Sequence, residues 1–219
     1  MKGLYNAATG ARPGAKGTDE TSESNVRFLI GKNAAKSAAA AGFIATMVAT
    51  MTGLWFPGVK LPQFDFNKLN GWLAFVGVGG LDYAFANPST TFIVGGIIHM
   101  IDGIIWAVIF GLIINPVLGV VIKPLRAMTP TVNLVKGIIW GGALWIISSL
   151  LWMPLLIGPI FNLAPLNGFG LPCGVGPFLT CFGPYGVQAL FTNLFWHMIW
   201  GVNLGLLFNP MRAASRVRW

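Results

Sequence analysis

Two similar stretches, His99-Met100-Ile101-Asp102-Gly103 and His197-Met198-Ile199-Trp200-Gly201, lie within long apolar runs and contain the only two histidines of the sequence. Each run ends with Gly-Leu and then Asn-Pro, at Asn115-Pro116 and at Asn209-Pro210. The distance from histidine to asparagine differs between the two copies by about one helical turn. The pattern predicts a duplicated two-helix unit with its two histidines at equivalent positions inside a membrane.

The composition is that of an integral membrane protein. Hydrophobic residues make up 55% of the chain and charged residues 9%, whereas soluble domains carry about 25% charged residues. Four apolar runs approach the roughly 20 residues that a membrane-spanning helix needs. We therefore predict an all-α, four-transmembrane-helix bundle within residues 34–208, with spans at 36–56, 91–114, 136–157 and 186–208.

The basic residues predict the orientation of these spans. Twelve of the 14 Lys and Arg residues fall on the side that would hold both termini, whereas the other side has Lys60 and Lys68. The positive-inside rule places the richer side in the cytoplasm. We expect a polar cytoplasmic tail at 1–33, a basic cytoplasmic tail at 209–219, and localisation in the inner (cytoplasmic) membrane of a cell.

The remaining segments, 57–90 and 158–184, are then extracytoplasmic loops. In the first, Asp65 is a suitable N-cap for a short helix, and apolar residues follow it. Such a helix would lie in the membrane interface, and 77–88 is predicted to be irregular. In the second, Cys173 and Cys181 are disulfide candidates, because that compartment permits oxidation.

Small residues at four-residue spacing predict close packing between the spans. His99 is the only large residue in its row, so it should face a neighbouring helix and not lipid. The predicted helix-packing residues are Gly95, Gly103, Ala107, Gly111, Gly137, Gly141, Gly201 and Gly205.

Ionisable side chains inside a membrane are costly and often functional. His99 and His197 are therefore candidate cofactor-binding and metal-binding residues, with Asp102 and Asn193 as possible hydrogen-bond partners. Two histidines on separate helices suit a haem or a chlorophyll-type pigment. Copper would use the same histidines with softer ligands, for which the candidates are Met100, Met198, Cys173 and Cys181.

Two further interpretations of the same residues remain open. A proton or quinone site would be built on His99 and Asp102. Alternatively there is no cofactor, and a hydrogen-bonded polar pair fixes helix register, with His99 neutral and bonded to Asp102, Asn193 or a backbone carbonyl.

Motifs of soluble enzymes are absent from the sequence: it has no nucleotide-binding Gly motif, no P-loop, no HExxH and no carboxylate pair. The net charge of +8 is explained by topology and does not indicate nucleic acid. These features predict a non-catalytic accessory subunit of a larger membrane complex for respiratory or photosynthetic electron transfer. Its partners would be lipid and other integral membrane subunits. The alternatives are a haem-, pigment- or copper-binding membrane protein and a small oligomeric channel or transporter.

Four stretches carry a resemblance to a known family: Ala41-Gly42-Phe43-Ile44-Ala45-Thr46, Leu61-Pro62-Gln63-Phe64-Asp65, the His99…Gly103…Gly111 span, and Lys136-Gly137…Leu144-Trp145…Met153-Pro154 followed by His197…Gly201…Gly205. Over roughly 36–208, the chain resembles the YagU-like inner-membrane proteins, which are small four-span bacterial and archaeal membrane proteins. That family has no assigned activity. The resemblance therefore implies the four-span architecture and a histidine in each half.

Overall fold

The regular elements are helical throughout the part of the chain that the computed structural model describes, residues 19–61, 65–76, 78–149 and 186–210. The α-helices are α1 (Asp19–Trp55), α2 (Phe66–Val76), α3 (Gly80–Ala86), α4 (Pro88–Ile109), α5 (Asn115–Val121), α6 (Pro130–Ile147) and α7 (Gly186–Leu207). A π-helical segment, Phe110–Ile114, joins α4 to α5, and short 3-10 turns occupy Phe56–Val59 and Lys123–Leu125.

Four helical stretches are long and apolar enough to cross a membrane: Asn33–Val59, Pro88–Val121, Pro130–Ile147 and Leu190–Leu207. This confirms the predicted all-helical class with four candidate spans, as in a multi-pass membrane protein. The predicted extension of the third span to 157, the loop 158–184 and the tails 1–18 and 211–219 lie outside the described residues.

The long helices form two antiparallel pairs that share one contact. In the first pair, α1 packs on α4; in the second, α6 packs on α7; and α1 also packs on α7. α4 and α6 approach each other near Trp106 and Trp140, where the Trp140 indole N–H donates to the Trp106 carbonyl at 3.3 Å. The bundle is therefore closed on three sides and loosely closed between α4 and α6.

Helix α2 differs from the expected interfacial segment. Its Asp65 cap is as predicted, since the Lys68 amide donates to Asp65 Oδ1 at 3.2 Å. However, α2 runs antiparallel along the beginning of α4, where Gly71 contacts Thr91 and the Asn67 carbonyl contacts Gly95. Apolar residues of α2 are buried in the bundle: Phe66, Leu69 and Trp72. A helix that buries this much apolar surface and meets backbone at two glycines is held inside the protein.

Three helix boundaries also differ from the sequence prediction. Helix α1 already begins at Asp19, within the expected polar tail, and α3 occupies most of the expected irregular stretch. The expected loop between the second and third spans is shortened, because α6 begins at Pro130. Thr129 explains this start, since its hydroxyl accepts from the Val132 amide at 3.3 Å and caps the helix.

A buried polar cluster joins the two helix pairs at the end of the bundle that holds Lys123 and Arg126, called here the basic end. Lys136 is fully buried, and its Nζ donates to Asn115 Oδ1 at 2.9 Å. Asn115 Nδ2 points to Asn133 Oδ1 at 3.4 Å, and Asn133 Nδ2 donates to the Phe208 carbonyl at 3.2 Å. The cluster thus connects α5, α6 and the end of α7.

Candidate functional site

A cavity of about 90 Å³ lies where α2, α4, α6 and α7 meet. Its volume corresponds to about three water molecules at ~30 Å³ each. It contains both histidines and the acidic residue of the second span. The lining residues are Phe66, Asn70, His99, Asp102, Gly103, Trp106, Leu144, Ile147, Ser148, Trp196, His197 and Trp200.

His99 is held by α1. It is 3% exposed, and its Nε2 forms a 3.0 Å hydrogen bond with the Thr50 hydroxyl. The contact exists because Gly103, one turn further along α4, lets the helices meet at Thr46. The expected partners were Asp102, Asn193 or a carbonyl, so Thr50 is a partner that the sequence pattern missed.

His197 is held by its own helix. Its Nδ1 lies 2.8 Å from the Asn193 carbonyl. A carbonyl oxygen accepts and never donates, so Nδ1 carries the proton. In the neutral ring Nε2 is then an acceptor, and it has no protein partner among the described residues. His197 therefore presents a hydrogen-bond acceptor and differs in role from His99.

Phe66 packs against both histidines. Its ring stacks on that of His99, with centroids 5.2 Å apart and planes 10° apart, and meets His197 edge-on at 6.5 Å. Trp196 completes the cluster at 4.6 Å from Phe66. A flat macrocycle between the histidines would have to displace Phe66, so the observed arrangement does not favour a bis-histidine haem or pigment site.

The candidate copper ligands are not gathered at the cavity. Met100 is not among its lining residues, and the Met198 side chain ends beside Gly142 on α6. The described part of the chain has no group of three His, Cys, Asp or Glu side chains placed to hold a metal ion. Cys173 and Cys181 lie outside the described residues.

Asp102 lies at the mouth of the cavity. It is exposed, as are its apolar neighbours on the outer face of α4, while the deeper lining residues are buried. Its carboxyl group accepts a hydrogen bond from the Trp106 indole. The partly exposed lining residues, Trp106, Ile147 and Ser148, belong to α4 and α6 or follow α6 directly. The cavity therefore opens sideways through the gap between these helices.

Asn193 connects α7 to the end of α6. Its Nδ2 donates to the hydroxyls of Ser148 and Ser149, both at 3.2 Å. Its Oδ1 and the Trp196 indole N–H are buried without a partner among the described residues. An unpaired buried polar group costs about 1–3 kcal/mol, so this corner of α7 is less well satisfied than the basic end.

The predicted packing glycines lie at helix contacts of two kinds. On α4, Gly95 meets the Asn67 carbonyl, Gly103 meets Thr46, and Gly111 meets Ala38. Ala107 is fully buried against Gly42. On the other pair, Gly137 meets Gly201 and Gly205, while Gly141 meets the His197 carbonyl.

Sequence reasoning missed Phe66, Asn70 and Lys136. The first two fell in a segment expected outside the membrane, and Lys136 was counted as a surface charge that sets topology. Asn67, Asn70 and Gly71 within one short apolar helix were the available signal, because such residues suit a buried helix contact. No family model, curated protein or solved structure matches this chain.

Proposed function

We propose that this chain is a non-catalytic structural subunit of a larger integral membrane complex. The observation that carries the proposal is that polar side chains within the spans bond to one another across helices. His99 is bonded to Thr50, and the Trp200 indole donates to the Thr46 hydroxyl at 2.9 Å. Such bonds fix the register of membrane helices, which is a structural task.

The exposure of Asp102 supports the larger complex. This residue lies about 21 Å along α4 from Pro88, at ~1.5 Å per residue, and thus well inside the candidate span. Its exposed neighbours are Ile98, Ile101 and Ile105. An acidic group facing lipid at this depth is costly. A neighbouring molecule over the gap between α4 and α6 would remove that cost.

The duplicated unit and the cytoplasmic termini belong to the same proposal. The rows that start at His99 and at His197 each face the preceding long helix of the chain, α1 in one case and α6 in the other. This shared arrangement supports a repeated two-helix unit. The orientation rests on the positive-inside rule, and the basic cluster at Lys123 and Arg126 supports it.

The electron-transfer setting and the YagU-like relationship remain proposals that rest on the sequence. The cofactor alternative draws less support, because 90 Å³ is below the roughly 300 Å³ at which ordinary ligand pockets begin. A channel or transporter would need several copies around a shared path, and liposome flux would test it.

The test is extraction of native membranes in a mild detergent, followed by native gel separation, visible spectra and mass spectrometry of the band. We expect the chain to migrate in a large assembly and to be colourless when isolated. An Asp102→Asn variant should weaken this association, whereas Asp82→Asn, on the exposed surface of α3, should not. A stable monomer without co-purifying proteins would contradict the proposal, and an isolated chain that keeps colour would favour the cofactor alternative.

A further inference from the structure

The cavity presents hydrogen-bond acceptors toward its mouth. Asp102 contributes a carboxyl group, and His197 contributes Nε2, since its Nδ1 proton is committed to the Asn193 carbonyl. His99 adds little, because its Nε2 is already bonded to Thr50. A negative group and a neutral acceptor together favour a ligand that carries positive charge and several N–H donors.

The walls of the cavity are aromatic. Phe66, Trp106, Trp196 and Trp200 all line it. Aromatic faces attract cations, by about 0.5–1 kcal/mol at exposed sites and ~2 kcal/mol or more where water is excluded. Carboxylate and aromatic walls together match an ammonium group better than a carbonyl ligand such as a quinone, which would find no cationic donor here.

The entrance determines what else the ligand must carry. The mouth lies between α4 and α6 beside Asp102, in the middle of a candidate span and not at its end. A ligand that enters here comes from the hydrocarbon layer, so it needs an apolar part. The 90 Å³ volume is enough for the charged group and a few carbons, and the remainder must leave through the mouth.

We propose that this cavity binds the ammonium group of a lipophilic primary amine. The N–H groups donate to the Asp102 carboxylate and to His197 Nε2, the aromatic rings surround the charge, and the alkyl chain leaves between Trp106 and Ile147. The site lies wholly within this chain, so the inference does not depend on the proposed role in a complex.

The experiment uses the full chain in phosphatidylcholine nanodiscs and octylammonium as the probe, with equilibrium dialysis against empty nanodiscs. We expect saturable binding of one octylammonium per chain. Asp102→Asn should weaken it by about tenfold or more, since a charge-assisted hydrogen bond is typically worth about 1.5–3 kcal/mol. Asp82→Asn, which removes an exposed carboxylate outside the cavity, should bind like the wild type.

Two competitors sharpen the assignment. Octanol, which has the same chain and no charge, should not displace the probe, and octyltrimethylammonium, which has charge but no N–H donor, should displace it weakly. Binding that Asp102→Asn leaves unchanged, or that octanol reverses as well as the amine does, would overturn the proposal. Thermal melting of each variant shows that it is folded.

The amine could be free or part of a lipid, and nanodiscs that contain phosphatidylethanolamine distinguish these sources. Competition by this lipid would identify its headgroup as the source of the ammonium. Unchanged octylammonium binding would identify a free amine. Absence of saturable binding in both nanodiscs would overturn the proposal, while leaving the test of complex membership unaffected.

Discussion

The two antiparallel helix pairs use small residues in different ways. In the pair of α6 and α7, a methyl group added at Gly137, Gly141 or Gly201 would overlap backbone atoms of the facing helix. In the pair of α1 and α4, a methyl group at Gly103 or Gly111 would first meet a side chain, Thr46 or Ala38. One pair is thus joined backbone to backbone and the other through interlocking side chains.

The difference teaches where each pair can adjust. A side chain can change rotamer or be shortened, whereas a helix backbone can only move away as a whole. The side-chain contact also carries polar groups, the Thr46 and Thr50 hydroxyls, that bond to Trp200 and His99. The pair of α1 and α4 therefore gains hydrogen bonds, and the pair of α6 and α7 gains the closest approach.

The largest effect is expected where the two pairs are joined. Asn115→Leu would leave the buried Lys136 ammonium without its acceptor, so we expect a loss of stability on the order of 3–5 kcal/mol, as when a buried charge loses its partner. Unfolding in mixed micelles measures it. The double variant Asn115→Leu with Lys136→Leu should recover most of the loss. An equally unstable double variant would mean that packing, and not the charge, explains the effect.

Next in size is the backbone contact. Gly141→Ala places a methyl group against the His197 carbonyl, so α6 and α7 must separate, and we expect a loss toward the upper part of the ~1–3 kcal/mol typical of overpacking. Gly142→Ala is the matched control, because its methyl group would meet just the end of Met198 at 3.6 Å. Equal melting temperatures of the two variants would contradict the backbone-to-backbone description.

A smaller effect is expected at the side-chain contact. Gly103→Ala collides with the Thr46 hydroxyl, and we expect a loss toward the lower part of the ~1–3 kcal/mol range, because Thr46 can rotate. Thr46→Ala also destabilises, since Trp200 loses its acceptor. The double variant should be more stable than the sum of the two changes by about 0.5 kcal/mol or more, as expected for residues in contact. Strict additivity of the two unfolding free energies would argue against this collision.

The smallest effect concerns the His99 hydrogen bond. Thr50→Val keeps the shape of the side chain and removes the hydroxyl, and we expect a loss of about 1 kcal/mol, typical of hydrogen bonds between membrane helices. Thr52→Val is the control, because the Thr52 hydroxyl bonds to the Val48 carbonyl of its own helix at 2.8 Å. If both variants lose the same stability, His99 does not connect α4 to α1.

The architecture was predictable because it follows from local patterns. Apolar runs of sufficient length predict spans, and the row from Gly95 to Gly111 predicts the packed side of α4. The site was only partly predictable. His99, His197 and Asp102 were found because polar groups in apolar runs are conspicuous. Their partners were not, since Thr50 and Phe66 are ordinary in their own segments and gain their role when distant parts of the chain meet.

Helix α2 and Lys136 show the same limit in two forms. An apolar helix of eleven residues is too short to span a membrane, so its sequence alone does not distinguish burial in the bundle from a position in the interface. A lysine near the end of a span is a common topological signal. Its burial is decided by Asn115, which lies 21 residues earlier in the chain.

The π-helical segment at Phe110–Ile114 has a consequence for insertions and deletions. A π-turn holds one residue more than an α-turn, and here it directly precedes Asn115, which faces Lys136. Removing one residue from this segment would rotate everything after it by about 100° relative to α4, and Asn115 would turn away from the ammonium. The chain should therefore tolerate changes of length between α5 and α6 far better than the loss of a single residue here.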